Sequence, residues 1–113
     1  MIDHVRPAQL TDWFAAAPDS GCPLVLDVRE PWELQTASVA ADGFELVAIP
    51  MGSLPERLAE LDASRPVACL CHHGMRSLRV AAFLEHQGFE RVANISGGID
   101  AWSQERDAGV PRY

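Results

Sequence analysis

Positive charge, cysteine and long apolar segments are all scarce in this sequence of 113 residues. Nine basic residues against 16 acidic ones give a net charge of −7, which argues against a basic surface for nucleic acid or for an anionic membrane. No stretch approaches the ~20 apolar residues that a membrane-spanning helix needs. Three cysteines are an odd number and predict no disulfide framework. We therefore expect neither nucleic acid nor a membrane as a partner.

The start of the chain and its composition predict a simple organisation. Residues 1–7 have neither a basic start nor an apolar core, so we expect no signal peptide. Cysteines without a disulfide pattern fit a reducing compartment, hence a cytoplasmic location. The length and an apolar content of 48% predict a single folded domain over residues 1–113, with one real core.

Short apolar runs alternate with helical patterns along the chain. The runs at 23–26, 46–49, 67–70 and 92–95 predict strands, and His4–Val5 adds an edge strand. The first three are almost continuously apolar, as is typical of strands covered on both faces in a parallel sheet. Helical stripes are formed by Leu10, Trp13, Phe14 and Ala17, by Leu54, Leu58 and Leu61, by Val80, Phe83, Leu84 and Gln87, and by Ile99 and Trp102. The pattern predicts an α/β fold with a central, mostly parallel sheet of about five strands and helices on both faces.

Local signals place several of the element boundaries. Pro7 suits a first helical turn, and a capping box at 53–56 predicts a helix start at Ser53. Gly88 is expected to stop the third long helix. A short helix is predicted over 31–35, and the aperiodic stretch 36–43 is interpreted as a surface loop.

Residues 71–77, Cys-His-His-Gly-Met-Arg-Ser, have the strongest chemical signal in the sequence. Cys71 ends a buried strand that we expect to be central, and a short loop leads from it into a helix. Backbone N–H groups of such a loop converge on an anion, and the helix N-terminus adds ~0.5 positive charge. Both effects favour thiolate over thiol, and so favour a nucleophilic sulfur. This hypothesis requires the amides of 72–76 to surround Cys71.

Three segments together resemble the rhodanese-like sulfurtransferases. They are the Asp-Val-Arg segment with its following glutamate at 24–33, the loop at 71–77, and the Gly-Gly-Ile-x-x-Trp segment at 95–102. In order and spacing they span nearly the whole chain. One departure is the segment 40–47, which replaces a His-Ile-x-Gly-Ala stretch of many members and which we expect near the opening of the site.

The resemblance implies sulfur transfer through a persulfide on Cys71, with no metal and no organic cofactor. A small anionic donor such as thiosulfate would supply the sulfur, and a thiol or a protein would accept it. The N–H groups of the substrate-binding residues would hold the anions, these residues being His72, His73, Gly74, Met75 and Arg76. Gly74 would leave room for the anion, and Arg76 would bond a sulfonate-like group in two places. Asp27, Arg29 and Ser77 are expected to support the site, the first two as a structural pair.

Alternative functions remain open at this point. The resemblance also extends to phosphatases and arsenate-processing enzymes, whose loop has one more residue than the four that separate Cys71 from Arg76. A persulfide carrier or sensing module that serves one protein partner is a second alternative, and a purely structural interaction domain is a third. We expect Cys71→Ser to abolish transfer, and Arg76→Ala to raise the donor KM more than it harms folding.

Other residues near the motif favour plainer interpretations. Cys69 lies within an apolar run and is expected to be buried. Cys22 is expected to take no part in the chemistry rather than to act as a resolving thiol. Consecutive residues cannot all face one ion, so Cys69, Cys71 and the two histidines do not predict a metal site. His72 and His73 are expected to contribute through their backbone, with the side chains turned outward.

Overall fold

The computed structural model describes residues 2–16 and 21–113. Five strands form one parallel sheet in the order β1-β5-β4-β2-β3: β1 (Asp3–Val5), β2 (Leu24–Asp27), β3 (Glu45–Ala48), β4 (Val67–Leu70) and β5 (Val92–Ile95). The α-helices are α1 (Leu10–Ala15), α2 (Pro31–Thr36), α3 (Leu54–Arg57), α4 (Met75–His86) and α5 (Gly98–Glu105). Short 3-10 helices cover Pro7–Gln9, Met51–Ser53 and Leu58–Glu60. The predicted α/β class is confirmed.

The side chains of the strands alternate between two cores, one on each face of the sheet. In β4, Ala68 and Leu70 face the core that contains Trp102 of α5, whereas Val67 and Cys69 face the core that contains Leu84 of α4. All residues of β2, β4 and β5 are buried. Their almost continuous apolar character follows, because both faces are covered by helices.

Several local predictions fail for identifiable reasons. Residues of β3 are half-exposed or exposed, because β3 is an edge strand of the sheet that the described residues form. Helix α3 begins directly after Ser53 as predicted, but Ser53 makes no capping bond, because it closes a 3-10 helix in a helical backbone conformation. The segment 36–43 is not wholly a surface loop: Thr36 ends α2, and Ala37 and Val39 are buried in the core. Ala17 lies outside the described residues.

The remaining boundaries follow the sequence closely. Pro7 opens a 3-10 helix that leads into α1, and α2 extends one residue beyond the expected 31–35. Gly88, with a φ of 95°, follows the end of α4. β1 is the edge strand that His4–Val5 predicts. No helix in the described part of the chain is long and apolar enough to cross a bilayer.

Parallel strands bring the start of every following loop to one edge of the sheet. β4 is central, with β5 on one side and β2 on the other, so Cys71 emerges in the middle of the carboxyl edge. Ligands of open parallel sheets bind at this edge. The fold therefore places residues 71–77 between the ends of β2 and β5.

Candidate active site

The sulfur of Cys71 is buried but has polar neighbours. The side chain is 1% exposed and directly follows β4. The backbone N–H of Gly74 donates to Sγ at 3.1 Å, and the hydroxyl of Ser77 lies 3.2 Å from Sγ. A purely structural cysteine in an apolar core has no need of such partners, so this environment suits a sulfur that becomes charged.

The N-terminus of α5 holds the loop from the other side. The N–H of Ile99 donates to the carbonyl of Cys71 at 2.9 Å, and that of Asp100 to the carbonyl of His72 at 3.2 Å. Because a peptide N–H points opposite to the carbonyl of the same trans peptide, the N–H groups of His72 and His73 point away from α5. A Cβ on Gly98 would lie 2.4 Å from both carbonyl oxygens, which explains the glycine there.

The backbone conformation of Gly74 favours glycine. Its φ is 104°, a conformation that L-residues rarely adopt. A Cβ at this position would lie 3.2 Å from the backbone N of Gly97 and 3.6 Å from the carbonyl oxygen of Ile95. A side chain at position 74 would therefore meet the loop before α5.

Helix α4 begins inside the motif, at Met75. The bond from Leu78 N–H to the Gly74 carbonyl, at 3.3 Å, closes its first turn. The N–H groups of Met75, Arg76 and Ser77 precede it and have no acceptor within the helix. Of the five backbone donors expected from His72 to Arg76, that of Gly74 is bonded to Sγ within the described residues. The first turn of α4 adds donors of the kind that bind anions.

Arg76 is paired with Glu33 of α2. Nη1 and Nη2 donate to the two carboxylate oxygens at 2.6 and 2.7 Å, and the side chain of Arg76 is 31% exposed. The Glu33 carboxylate raises the pKa of Arg76, and the bonds from Arg76 lower the pKa of Glu33 to about 2. The two terminal nitrogens are thus engaged by the protein, and the partly exposed guanidinium is oriented beside the loop. This changes the expectation for Arg76→Ala, which would leave the 2% exposed Glu33 without its cation.

Asp27 and Arg29 form the buried pair that the sequence predicted. Nε and Nη2 of Arg29 bond the Asp27 carboxylate at 2.7–3.1 Å, and both residues are at most 1% exposed. Nη1 of Arg29 bonds the carbonyl of Ala37 at 2.8 Å and the hydroxyl of Tyr113 at 3.0 Å. That hydroxyl in turn donates to Glu33 at 2.7 Å. The pair therefore ties the end of β2 to α2 and, through Glu33, to Arg76.

The two histidine rings do not simply extend into solvent. The ring of His72 stacks on that of His73 and on that of Tyr113, each at 3.9 Å between centroids. Nε2 of His72 lies 2.6 Å from the backbone oxygen of Tyr113. His72 is half-buried as a result, whereas His73 is exposed. Tyr113 thus packs against the loop that contains Cys71.

The other cysteines lie apart from this chemistry. Cys69 is fully buried within β4, and burial raises the pKa of its thiol. Cys22 is exposed and precedes β2, at the amino edge of the sheet. Because a strand of four residues spans roughly 13 Å, Cys22 is too far from Cys71 to resolve it directly. Residues 2–16 and 21–113 contain no group of three or more acidic, histidine or cysteine side chains placed to hold a metal.

The amino edge also contains a hollow of about 300 Å³. Its lining residues include Phe14, Pro23, Gly43 and Phe44. Glu45, the first residue of β3, is paired with Leu24 at the start of β2. The segment that departs from the family pattern therefore leads to the edge opposite Cys71, and the expectation that it borders the site is wrong.

Three site residues were missed by reasoning from the sequence. Glu33 appeared only as part of a motif, Asn94 was counted within an apolar strand, and Tyr113 gave no local signal. The Ser77 hydroxyl donates to Oδ1 of Asn94 at 2.5 Å, so Asn94 is joined to Cys71 through Ser77. One polar residue inside an otherwise apolar run was the available signal for Asn94.

Comparison with known proteins finds sulfurtransferases among the relatives of this chain. A sulfurtransferase of Allochromatium vinosum is 31% identical over 111 residues, which are 98% of this chain and 94% of that protein. The thiosulfate sulfurtransferase GlpE of Vibrio cholerae is 37% identical over 78 residues, covering 69% of this chain and 70% of that one. A rhodanese-like/PpiC domain-containing chloroplastic protein of Arabidopsis thaliana is 37% identical over 91 residues, and the match covers 79% of this chain but only 30% of that protein.

A solved structure and a family model agree on the fold. The crystal structure of a rhodanese-related protein from Thermoplasma volcanium superposes with a TM-score of 0.74 at 32% identity, covering 96% of this chain and 95% of that one. The family model described as rhodanese-like domain matches residues 10–105, which include α1, the Cys71 loop and α5. The chain belongs to the rhodanese-like domain family.

Proposed function

We propose that this protein is a sulfurtransferase that carries sulfur as a persulfide on Cys71. The Cys71 thiolate attacks the outer sulfur of a donor, the bond between the two donor sulfurs breaks, and its electron pair leaves with sulfite when the donor is thiosulfate. An acceptor thiolate then attacks the outer sulfur of the Cys71 persulfide and takes it, which regenerates the thiolate. The observation that carries the proposal is the pair of polar contacts to Sγ, from Gly74 N–H and the Ser77 hydroxyl.

The donor proposed is small and anionic, with thiosulfate as the first candidate. The persulfide and the sulfite leaving group are anions too, so one set of donors at the first turn of α4 serves each species in turn. Arg76 adds a cation that Glu33 orients beside the loop. The name of the Vibrio cholerae relative, thiosulfate sulfurtransferase, also supports this donor.

The surface around the loop favours a second form of the same chemistry, in which the acceptor is a protein. Trp32 is 61% exposed and Met75 is 70% exposed, and they are the exposed large apolar side chains of the described residues. Each is adjacent in sequence to one member of the Glu33–Arg76 pair. Exposed apolar side chains beside a reactive group are typical of sites that contact another protein. In this form the protein is a persulfide carrier that turns over slowly with small acceptors.

Intact-mass spectrometry tests the proposal. The protein is mixed with thiosulfate, separated from it, and weighed before and after treatment with cyanide. We expect a mass gain of one sulfur atom that cyanide removes, and peptide mapping should locate it on Cys71. Cys71→Ser should show no gain, whereas Cys22→Ser, at the opposite edge of the sheet, should load like the wild type.

Failure of the wild type to gain sulfur from thiosulfate, polysulfide or a low-molecular-weight persulfide would refute the proposal. A loaded protein that releases sulfur rapidly to small thiols supports the enzyme. A stably loaded protein that releases sulfur only slowly to them supports the carrier.

A further inference from the structure

A chain of buried polar groups leads from Cys71 into the sheet. Sγ of Cys71 lies 3.2 Å from the hydroxyl oxygen of Ser77, which lies 2.5 Å from Oδ1 of Asn94. These residues are 1%, 0% and 5% exposed, respectively. Asn94 occupies the third position of β5, between Ala93 and Ile95, where an apolar side chain would be ordinary. A buried amide at such a position normally has a polar partner, and here the partner contacts the reactive sulfur.

The Ser77 hydroxyl has a single proton and two neighbours that compete for it. When Ser77 donates to Oδ1 of Asn94, its oxygen presents a lone pair to Sγ. That arrangement suits a thiol, whose S–H can donate to the oxygen. It is unfavourable for a thiolate or a persulfide, because both are negatively charged and need a donor.

Rotation of the Asn94 amide by half a turn reverses the direction of the hydrogen bonds from Asn94 through Ser77 to Cys71. The amide nitrogen then takes the place of Oδ1 and donates to the Ser77 oxygen, and the Ser77 proton turns to the sulfur. The two orientations of an amide have nearly the same shape, so the exchange needs little rearrangement. In this reversed arrangement of hydrogen bonds, the sulfur accepts from both Gly74 N–H and Ser77 O–H.

We propose that Asn94 is a positioning residue which directs the Ser77 proton to the sulfur of Cys71 whenever that sulfur is negatively charged. Without the amide, the Ser77 hydroxyl is free to donate to a carbonyl of the preceding turn, as serines in helices often do. Asn94 thereby favours the reactive form of Cys71 without touching it.

Other titratable groups lie near Cys71 and set the background for a test. Arg76, on α4, interacts electrostatically with Cys71, and so does the thiol of Cys69 on β4. His72 and His73 lie on the same loop, and their charge is felt by Asp100 of α5. All of these groups are unchanged when Asn94 is replaced. A change in the pH dependence of Cys71 reactivity on replacing Asn94 therefore reports on the hydrogen bonds that join Asn94, Ser77 and Cys71.

The test is a double-mutant cycle on the alkylation of Cys71 by iodoacetamide, followed from about pH 5 to pH 10 in a background where Cys22 is serine. The variants are Asn94→Leu, Ser77→Ala and both together. We expect Asn94→Leu to lower the rate constant at neutral pH about 3- to 10-fold, the scale of one weakened bond to a charged group. The rates should converge at high pH, where every thiol is ionised, and Asn94→Leu should have no further effect once Ser77 is alanine.

Val92→Ala is the matched control. Val92 lies two residues earlier on β5 and faces the core that contains Cys69 and Leu84. Its truncation disturbs the same strand and the same core without breaking the polar chain, so the alkylation rate should stay that of the wild type. An unchanged rate in Asn94→Leu, or an equal loss in the presence and absence of the Ser77 hydroxyl, overturns the proposal.

A second measurement follows the Asn94 side chain directly, by NMR of the native protein. The side-chain amide signals of Asn94 in a ¹⁵N spectrum should shift when Cys71 ionises, and Ser77→Ala should abolish the shift. Asn94 amide signals that do not shift when Cys71 ionises would contradict the proposed role of Asn94. The inference rests on the proposed function for its importance in catalysis, but alkylation needs only a thiolate. A failure of sulfur loading therefore refutes the proposed function, whereas a failure of the double-mutant cycle refutes the role of Asn94.

Discussion

The Glu33–Arg76 pair links the stability of the fold to the orientation of the site, so Glu33→Gln is the most informative single change. The folded-state pKa of Glu33 is about 2 against an ordinary value of 4.5, chiefly because Arg76 bonds its carboxylate. A shift of that size corresponds to about 3 kcal/mol of stabilisation at neutral pH. Water reaches Arg76, whose side chain is 31% exposed, so we expect the variant to lose about 1–3 kcal/mol.

The contribution of Glu33 to the free energy of unfolding changes with pH in a definite direction. The pKa of Glu33 is lower in the folded than in the unfolded chain, so its contribution is fully present above about pH 5 and is lost as the pH falls from about 4.5 to about 2. Urea unfolding of the wild type and Glu33→Gln at pH 7 and pH 3 measures this. The difference between the two proteins should be smaller at pH 3.

Glu60→Gln is the control for this experiment, because Glu60 also forms a two-bond pair with an arginine, Arg57, but on the exposed surface. It should have a much smaller effect on the free energy of unfolding. Equal losses from the two substitutions, or a loss from Glu33→Gln that does not change with pH, would refute the assignment of the stabilisation to the buried carboxylate.

Two further substitutions test the loop itself. Arg76→Lys keeps a cation beside Glu33 but loses the planar fork, so the KM for thiosulfate should rise several-fold. The free energy of unfolding should fall by less than in Glu33→Gln, and an unchanged KM would argue against a donor-binding role. Gly98→Ala places a Cβ 2.4 Å from the carbonyls of Cys71 and His72, at a φ of 59°. Gly43→Ala has a similar φ of 78° and nothing within 4 Å, so it should cost about 1–2 kcal/mol in a urea melt and Gly98→Ala clearly more. Equal losses would mean that the contact between α5 and the loop is not close.

The success and failure of the sequence-based predictions follow from how local each signal is. Apolar runs located β2, β3, β4 and β5, and the residues of β2, β4 and β5 are all buried because both faces of those strands are covered. The expectation that both faces are covered failed for β3, because a strand's place at the edge of a sheet depends on which neighbours it finds. The capping box at Ser53 failed for a related reason, since the preceding 3-10 helix determines the backbone conformation of that residue.

The sequence by itself determined the α/β class and the placement of Cys71 after a buried strand and before a helix, since these depend on residues within one or two turns of each other. Only the tertiary structure decided what surrounds the sulfur and its arginine. Glu33 lies 43 residues from Arg76, and Asn94 lies 17 residues from Ser77 on another strand. Such partners are brought together by the order of strands in the sheet, and no periodicity along the chain encodes that order.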